Sequence, residues 1–581
     1  IVKMIFIKGV ISMFKLRRFL KHYKKELILG PFFKLLEAIF ELAVPLVMAQ
    51  IIDKGIGNND SDYVWKMSGL IVVLGICGLG FALTCQFFAA KCAYGFGTEL
   101  RDALYKHINK FSHAEIDRFG TSSLITRITN DTVLAQNGVN MFIRLAVRAP
   151  FLIVGAAVMS MTLDLKLSII FLIAAPIITL IIVWVMKKTV PMYKKIQKGL
   201  DKISLLTREN LDGVRVIRAF SKQEEEKKEL INESGRLSDN AVIAGKISAI
   251  LNPVTFMIMN LGIVAILWFG GIRVDTGHLT QGEITAFVNY MTQILLALVV
   301  LANLVIIFTK AASSASRINE VFDTQPSMTD GSDTKFDFSS PAVEFENVSF
   351  SYPDAGDLSL NNISFTLKKG EILGIIGGTG SGKSTLANLV PRFYDITSGN
   401  IKIFGKDIKK YSMEELRKLI GIVPQRAALF SGTIADNMRW GKPDATDQEI
   451  ISALKIAQAW EFVSKLTDGI KTNISQGGKN LSGGQRQRLT IARALVGNPP
   501  VVILDDSMSA LDYATDLALR KAIESELKDT AVIMISQRAT TLQNANHILV
   551  LDNGEAAGYG IHETLLKNCE EYAEIYKSQM S

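Results

Sequence analysis

Apolar residues in the first half of the chain fall into six long runs, approximately 28–52, 64–92, 140–161, 166–186, 247–271 and 282–309. A helix needs about 20 mostly apolar residues to cross a bilayer, so each run predicts a membrane-spanning helix. Three of the connections, 53–62, 162–165 and 273–282, are short and polar. The other two, 94–139 and 187–246, are long, basic and patterned like helix rather than loop. At about 1.5 Å per residue, the helices therefore continue well beyond the membrane. They must turn back, and the candidate turns are 118–131 and 210–220.

Beyond residue 311 the pattern changes. A stretch rich in Ser, Asp, Thr and Pro, 312–342, reads as a linker. From Val343 the alternation of apolar and polar residues through Val348 predicts a strand, and 343–581 reads as a charged globular domain. The expected organisation is an amphipathic N-terminal segment (1–27), a membrane domain (28–311), the linker (312–342) and a soluble domain (343–581).

Charge orients this arrangement. Lys15, Arg17, Arg18, Lys21, Lys24 and Lys25 precede the first apolar run, and such clusters stay on the cytoplasmic side. The two long basic connections are then cytoplasmic as well, as are both termini. The net charge of +8 is thereby accounted for beside the membrane, and no nucleic-acid partner is expected. Residues 1–13 offer no cleavage site of small residues and the basic run follows them, so no signal peptide is expected; Met4 and Met13 are candidate starts. Cys77, Cys85 and Cys92 share one apolar run and, with Cys569, show no metal-ligand spacing. Within the runs, Glu37 and Glu41 share a helix face, as do Arg144 and Arg148. Ionisable groups in a bilayer face a partner or a wet cavity; a structural ion-pair set is the first reading and a cargo-facing role the second. Asn260, Asn289, Gln293 and Asn303 are weaker cavity candidates, because such groups also bond helix to helix.

The soluble domain carries recognisable chemistry. Gly377-Gly378-Thr379-Gly380-Ser381-Gly382-Lys383-Ser384 follows an apolar strand, 372–376, and precedes a helical stretch beginning at Thr385. This is the phosphate-binding loop in its required context. Glycines let backbone N–H groups curl around phosphate oxygens, Lys383 reaches the β/γ phosphates, and Ser384 ligates Mg²⁺. Downstream, the apolar strand 501–505 ends in Asp505, a carboxylate delivered to the metal shell. Together the two motifs indicate an ATPase.

Leu481-Ser482-Gly483-Gly484-Gln485 resembles the signature of ABC ATPases, and the whole soluble domain resembles that family. The six-run region is similar to that of ABC exporters. The resemblance implies an all-α six-helix membrane domain fused to an α/β P-loop ATPase in a bacterial plasma membrane. It implies Tyr352 as the aromatic stacking on adenine, Gln425 as the glutamine that reaches the metal, and Asp512 in Ser509-Ala510-Leu511-Asp512 as the loop facing a second ATPase. In this family two ATPase domains meet head to tail, so Ser482, Gly483, Gly484 and Gln485 clasp an ATP held by the partner. A single chain cannot complete a site.

Two positions depart from the family pattern. Asp506 stands where a catalytic Glu is expected, and Gln537 where a His follows Ser536. An Asp carboxylate sits about 1–1.5 Å further back, and misplacement on that scale costs on the order of 100-fold in rate. Gln537 donates a hydrogen bond but carries no charge. The expectation is a pocket that holds ATP and hydrolyses it poorly, paired with a different half-transporter that supplies a sound base. That resembles the degenerate-site subunit of heterodimeric bacterial multidrug exporters, including the stretch 476–485. Small lipophilic substrates are the expected cargo, a lipid or peptide exporter the alternative, and an ATP-gated channel or regulatory subunit a more distant one.

Overall fold

The computed structural model describes residues 12–353 and 355–580. Most of the 1–13 stretch, including Met4, lies outside them. The chain divides into two compact units, 1–109 with 122–324, and 110–121 with 325–581.

Six long helices form the first unit: α1 (Ser12–Ile56), α2 (Ser61–Ile108), α4 (Thr121–Leu163), α5 (Ile169–Asp212), α7 (Gln223–Asp275) and α8 (Gln281–Asp323). Each apolar run lies in its own helix, except that the first three residues of 166–186 form a turn. The helices are 43–53 residues long, or about 65–80 Å, more than twice the hydrocarbon thickness of a bilayer. Their outer faces are apolar: Val72, Ile76, Leu79 and Leu83, three or four residues apart on α2, are all more than half exposed. Lipid, not water, suits such a stripe.

Inside the unit, several polar groups tie helix to helix. The buried Tyr290 hydroxyl donates to the Leu42 carbonyl at 2.8 Å, tying α8 to α1. Asp53 accepts from Thr280 Oγ1 at 2.6 Å and from the Gly282 N–H at 2.8 Å, and Asp164 pairs with Arg273. Glu37, Glu41 and Arg148 enter two separate ion pairs, and no ion pair involves Arg144 among the described residues. Lys34 meets Glu37 at 2.6 Å, and Arg148 meets Glu41 at 2.6 Å. Gln293 donates to the Glu41 carbonyl at 3.4 Å.

Two short helices mark the turns: α3 (His113–Phe119) and α6 (Val214–Ala219). The second lies within the expected 210–220. The first turn comes earlier than 118–131, because Ser112 and Glu115 form a reciprocal cap that starts α3 and Gly120, at φ 74°, stops it. A left-handed residue is readily glycine, and 121–131 is already helical. The last membrane helix likewise continues to Asp323, so the first part of the Ser- and Asp-rich stretch after 311 is helix.

The second unit is α/β. Strands β1 (Val343–Phe350), β2 (Leu360–Leu367), β4 (Ser398–Ile403) and β5 (Lys406–Asp407) form an antiparallel sheet in the order β2-β1-β4-β5. The larger sheet combines β3 (Ile372–Gly377), β6 (Ile420–Val423), β7 (Val501–Asp505), β8 (Ala531–Ile535), β9 (His547–Asp552) and β10 (Glu555–Gly560) in the order β10-β9-β3-β8-β7-β6. It is parallel except for the β9–β10 hairpin at its edge. Every residue of β7 and β8 is buried, which explains their unbroken apolar runs. The chain is thus a domain of six helices long and apolar enough to cross a membrane, fused to an α/β domain.

Candidate nucleotide site

Parallel sheets present ligand sites beyond the carboxyl ends of their strands, and the register here aligns three such ends. Ile535 pairs with Ile375 on one side and Asp505 on the other. Hence the loop after β3, the two aspartates at the end of β7 and the loop after β8 meet at one edge. They line a cavity of about 650 Å³.

The loop after β3 leads into helix α9 (Lys383–Leu389). Gly382 adopts φ 97°, and a Cβ there would stand 2.7 Å from Leu360 and 2.8 Å from the Ser359 carbonyl; no side chain fits. Lys383 Nζ donates to the carbonyls of Gly377 at 2.9 Å and Gly378 at 2.5 Å, and lies 3.3 Å from Ser381 Oγ. Burial lowers its pKa. These partners hold a buried cation within the loop.

Ser384 Oγ donates to Asp505 Oδ1 at 3.1 Å, and Gln425 Nε2 approaches Asp506 Oδ2 at 3.4 Å. Burial raises the pKa of both aspartates. A hydroxyl, a carboxylate and an amide oxygen are hard donors that suit Mg²⁺, whose remaining positions go to phosphate and water. Asp506 has φ 43°, a left-handed conformation that short Asp side chains tolerate better than most.

The cavity brings together Tyr352, Thr379, Gly380, Gly382, Lys383, Ser384, Thr385, Gln425, Asp505, Asp506 and Gln537. Gly377, Gly378 and Ser381 sit behind it as partners of Lys383. Ser482, Gly483, Gly484, Gln485 and Asp512 do not line it. Instead Ser482 caps helix α10 (Gly483–Leu495), with Gln485 completing a reciprocal cap, and both Ser482 and Gly483 are exposed. Asp512 caps α11 (Tyr513–Glu526) through Thr515. Within one chain the pocket and the signature are separate surfaces.

Sequence reasoning missed parts of the wall. Asp357, Leu358, Asn553 and Gly554 also line the cavity. Asn553-Gly554 is legible as a hairpin turn, but nothing local shows that it folds over β3. Also missed was the membership of α3, which packs in the ATPase unit. The His113 ring stacks on Phe393 with centroids 4.4 Å apart, Asp117 accepts from the Tyr394 hydroxyl at 2.6 Å, and Glu115 accepts from the Ser327 N–H at 3.1 Å. Burial, then the hydrogen bond to Asp117, pushes the Tyr394 phenol well up. Burial, then the Arg417 charge, lowers His113. The capping pattern Ser112-His113-Ala114-Glu115 was the available signal.

Comparison with known proteins agrees with this geometry. Residues 27–299 match the family described as ABC transporter transmembrane region, and residues 360–509 match ABC transporter. The chain is 39% identical over 561 residues to an ABC transporter ATP-binding protein, YfiB, of Bacillus subtilis, covering 97% of each. It is 32% identical over 572 residues to an ATP-dependent lipid A-core flippase of Haemophilus influenzae, covering 97% of this chain and 96% of that one. A bacterial Atm1-family ABC exporter solved with ATP bound has the same fold, with a TM-score of 0.78 at 24% identity, over 97% of this chain and 99% of that one.

These relatives correct two expectations. Along its whole length the chain is similar to an ATP-dependent lipid A-core flippase, and the expected likeness to the degenerate-site subunit of a heterodimeric multidrug exporter is withdrawn. The different half-transporter expected as partner is withdrawn with it. The physical reason is that Asp506 and Gln537 still line the nucleotide cavity, with Gln425 beside the Asp506 carboxylate. Both substitutions thus stay within one chain's own pocket and do not by themselves call for another chain.

Proposed function

Because the chain belongs to the ABC transporter family and is a multi-pass protein of the bacterial plasma membrane, we propose that two copies of it form an ATP-driven exporter of lipid-like amphiphiles. The carrying observation is the division of the site within one chain. The phosphate loop, Asp505 and Asp506 share a cavity, while the signature serine stands exposed on a helix cap elsewhere. Two copies placed head to tail supply each ATP with both halves. ATP then joins the motor domains, and its hydrolysis separates them.

In this reading Lys383 and the loop backbone hold the phosphates, Ser384, Asp505 and Gln425 hold Mg²⁺, and Tyr352 stacks on the adenine. Asp506 accepts the proton of the attacking water, more slowly than a Glu, and Gln537 hydrogen-bonds the terminal phosphate. Motion of the ATPase unit reaches the membrane helices through α3, which belongs to that unit yet continues covalently into α2 and α4. The lipid-like cargo is favoured over lipophilic drugs by the full-length similarity to lipid A-core flippases.

Complementation tests the head-to-tail arrangement. K383A abolishes one half of a site and S482R the other. Co-expressed, the two variants place both defects in one site and leave the second intact. Mixed dimers are expected to regain ATPase activity that neither variant has alone. No recovery in isolated mixed dimers contradicts the arrangement.

A further inference from the structure

The loop after β8 borders two cavities. Gln537 lines the nucleotide cavity and also a second cavity of about 350 Å³ behind it, bounded by Asp506, Asp516, Arg538 and Gln579. A segment with a cavity on each flank is not held by close packing, so its position depends on its hydrogen bonds. The Ser536 N–H bonds to the Ile375 carbonyl at 3.2 Å, and the Arg538 N–H to Ser536 Oγ at 3.0 Å. The carbonyl of Gln537 and the N–H of Ala539 have no partner within the loop itself.

Both are bound by one side chain from the far end of the chain. Gln579 Nε2 donates to the Gln537 carbonyl at 2.7 Å, and Gln579 Oε1 accepts from the Ala539 N–H at 2.8 Å. One amide uses its donor and its acceptor on residues two apart, as a neighbouring strand would. Gln579 is on α12 (Glu570–Met580). That helix is anchored by Tyr572, fully buried and bonded to His562 at 2.7 Å, and by Tyr576, which accepts from Gln543 at 3.3 Å.

We propose that Gln579 is a positioning residue of the ATPase: it clips the backbone around Gln537 and so fixes where the Gln537 side chain meets the terminal phosphate. This rests on the role given to Gln537 above. The C-terminal helix is thereby part of the motor, because its last turn sets the geometry of a loop on the opposite side of the strand end.

A double-mutant cycle on the full-length protein in lipid nanodiscs tests the proposal, with steady-state ATPase kinetics and the thermal midpoint as readouts. Gln579→Ala is expected to lower kcat about tenfold, the scale of a sub-ångström to ångström misplacement. KM for ATP should stay within about twofold, since the phosphate loop is untouched. Gln579→Glu, which keeps the acceptor and loses the donor, should fall between. In a Gln537→Ala background, where the backbone clip remains but the side chain is gone, Gln579→Ala should cause no further loss. An equal loss in both backgrounds, or a fall in kcat that tracks a lowered thermal midpoint, overturns the proposal. If Gln537→Ala alone leaves kcat unchanged while Gln579→Ala lowers it, the role of Gln537 is wrong and Gln579 acts by another route.

Discussion

The Tyr394 hydroxyl donates to the Asp117 carboxylate at 2.6 Å, and the same Tyr394 ring stands nearly perpendicular to Tyr352 with centroids 5.2 Å apart. One residue thus touches both the aromatic that faces the nucleotide cavity and the short helix that continues into two membrane helices. Removing its hydroxyl separates these roles. Tyr394→Phe keeps the ring and leaves Asp117 without its donor, at a cost of about 1.5–3 kcal/mol for a bond to a charged group. ATP binding and basal hydrolysis should stay within about twofold by the same reasoning, since neither uses the hydroxyl. Stimulation of hydrolysis by transported lipid should fall most, and comparing stimulated with basal rates in vesicles measures it.

Lys383 is held by two carbonyls and a serine of its own loop, and the proposed function assigns it to phosphate. Lys383→Ala removes charge-assisted bonds of about 1.5–3 kcal/mol. Affinity for ATP should drop about 10- to 100-fold, read by equilibrium binding of a fluorescent ATP analogue at constant Mg²⁺.

Burial raises the pKa of Asp505 and Asp506. The folded state therefore binds more protons than the unfolded chain between the ordinary carboxyl range and the raised values. Stability from these groups is present at low pH and lost as pH rises through that window. Burial disfavours the charged form of both, so above that window Asp505→Asn and Asp506→Asn should each raise the thermal midpoint of the nucleotide-free protein while lowering turnover. As a base, Asp506 must be ionised, so the acid limb of the kcat profile should lie above that of a free aspartate. Thermal scans across pH 4–8 beside a pH–rate profile check both signs.

Much of this was legible in the residues. The six apolar runs specify the membrane helices because about 20 apolar residues leave little alternative in a long chain. The phosphate loop is legible because only glycine fits beside Leu360 and Ser359 at position 382. The location of the first cytoplasmic turn was not, because Arg118 to Asp131 looks polar while its last eleven residues are helical. The partnering of Tyr394 with Asp117 and of Gln579 with Gln537 spans 277 and 42 residues respectively. No local pattern encodes such pairs. Asp506 and Gln537 were read as signs of a different partner, whereas they describe only the chemistry of their own pocket.

Within the membrane unit, Glu41 and Arg148 pair at 2.6 Å between α1 and α4. Leaving either charge alone in a low-dielectric setting costs about 3 kcal/mol or more. Glu41→Ala and Arg148→Ala should each lower the detergent thermal midpoint, and the exchange Glu41→Arg with Arg148→Glu should recover most of the loss. Failure of the exchange to recover stability indicates that one of the two charges serves the cargo.

The central claim is that two identical copies of this chain export a lipid-like amphiphile. The most direct measurement is ATP-dependent translocation of a fluorescently labelled lipid across proteoliposomes containing this chain alone, with Lys383→Ala as control. Translocation that requires ATP, disappears in the control and rises with Asp506→Glu is the predicted result. Liposomes that bind ATP yet move no lipid until a second, different half-transporter is added contradict it.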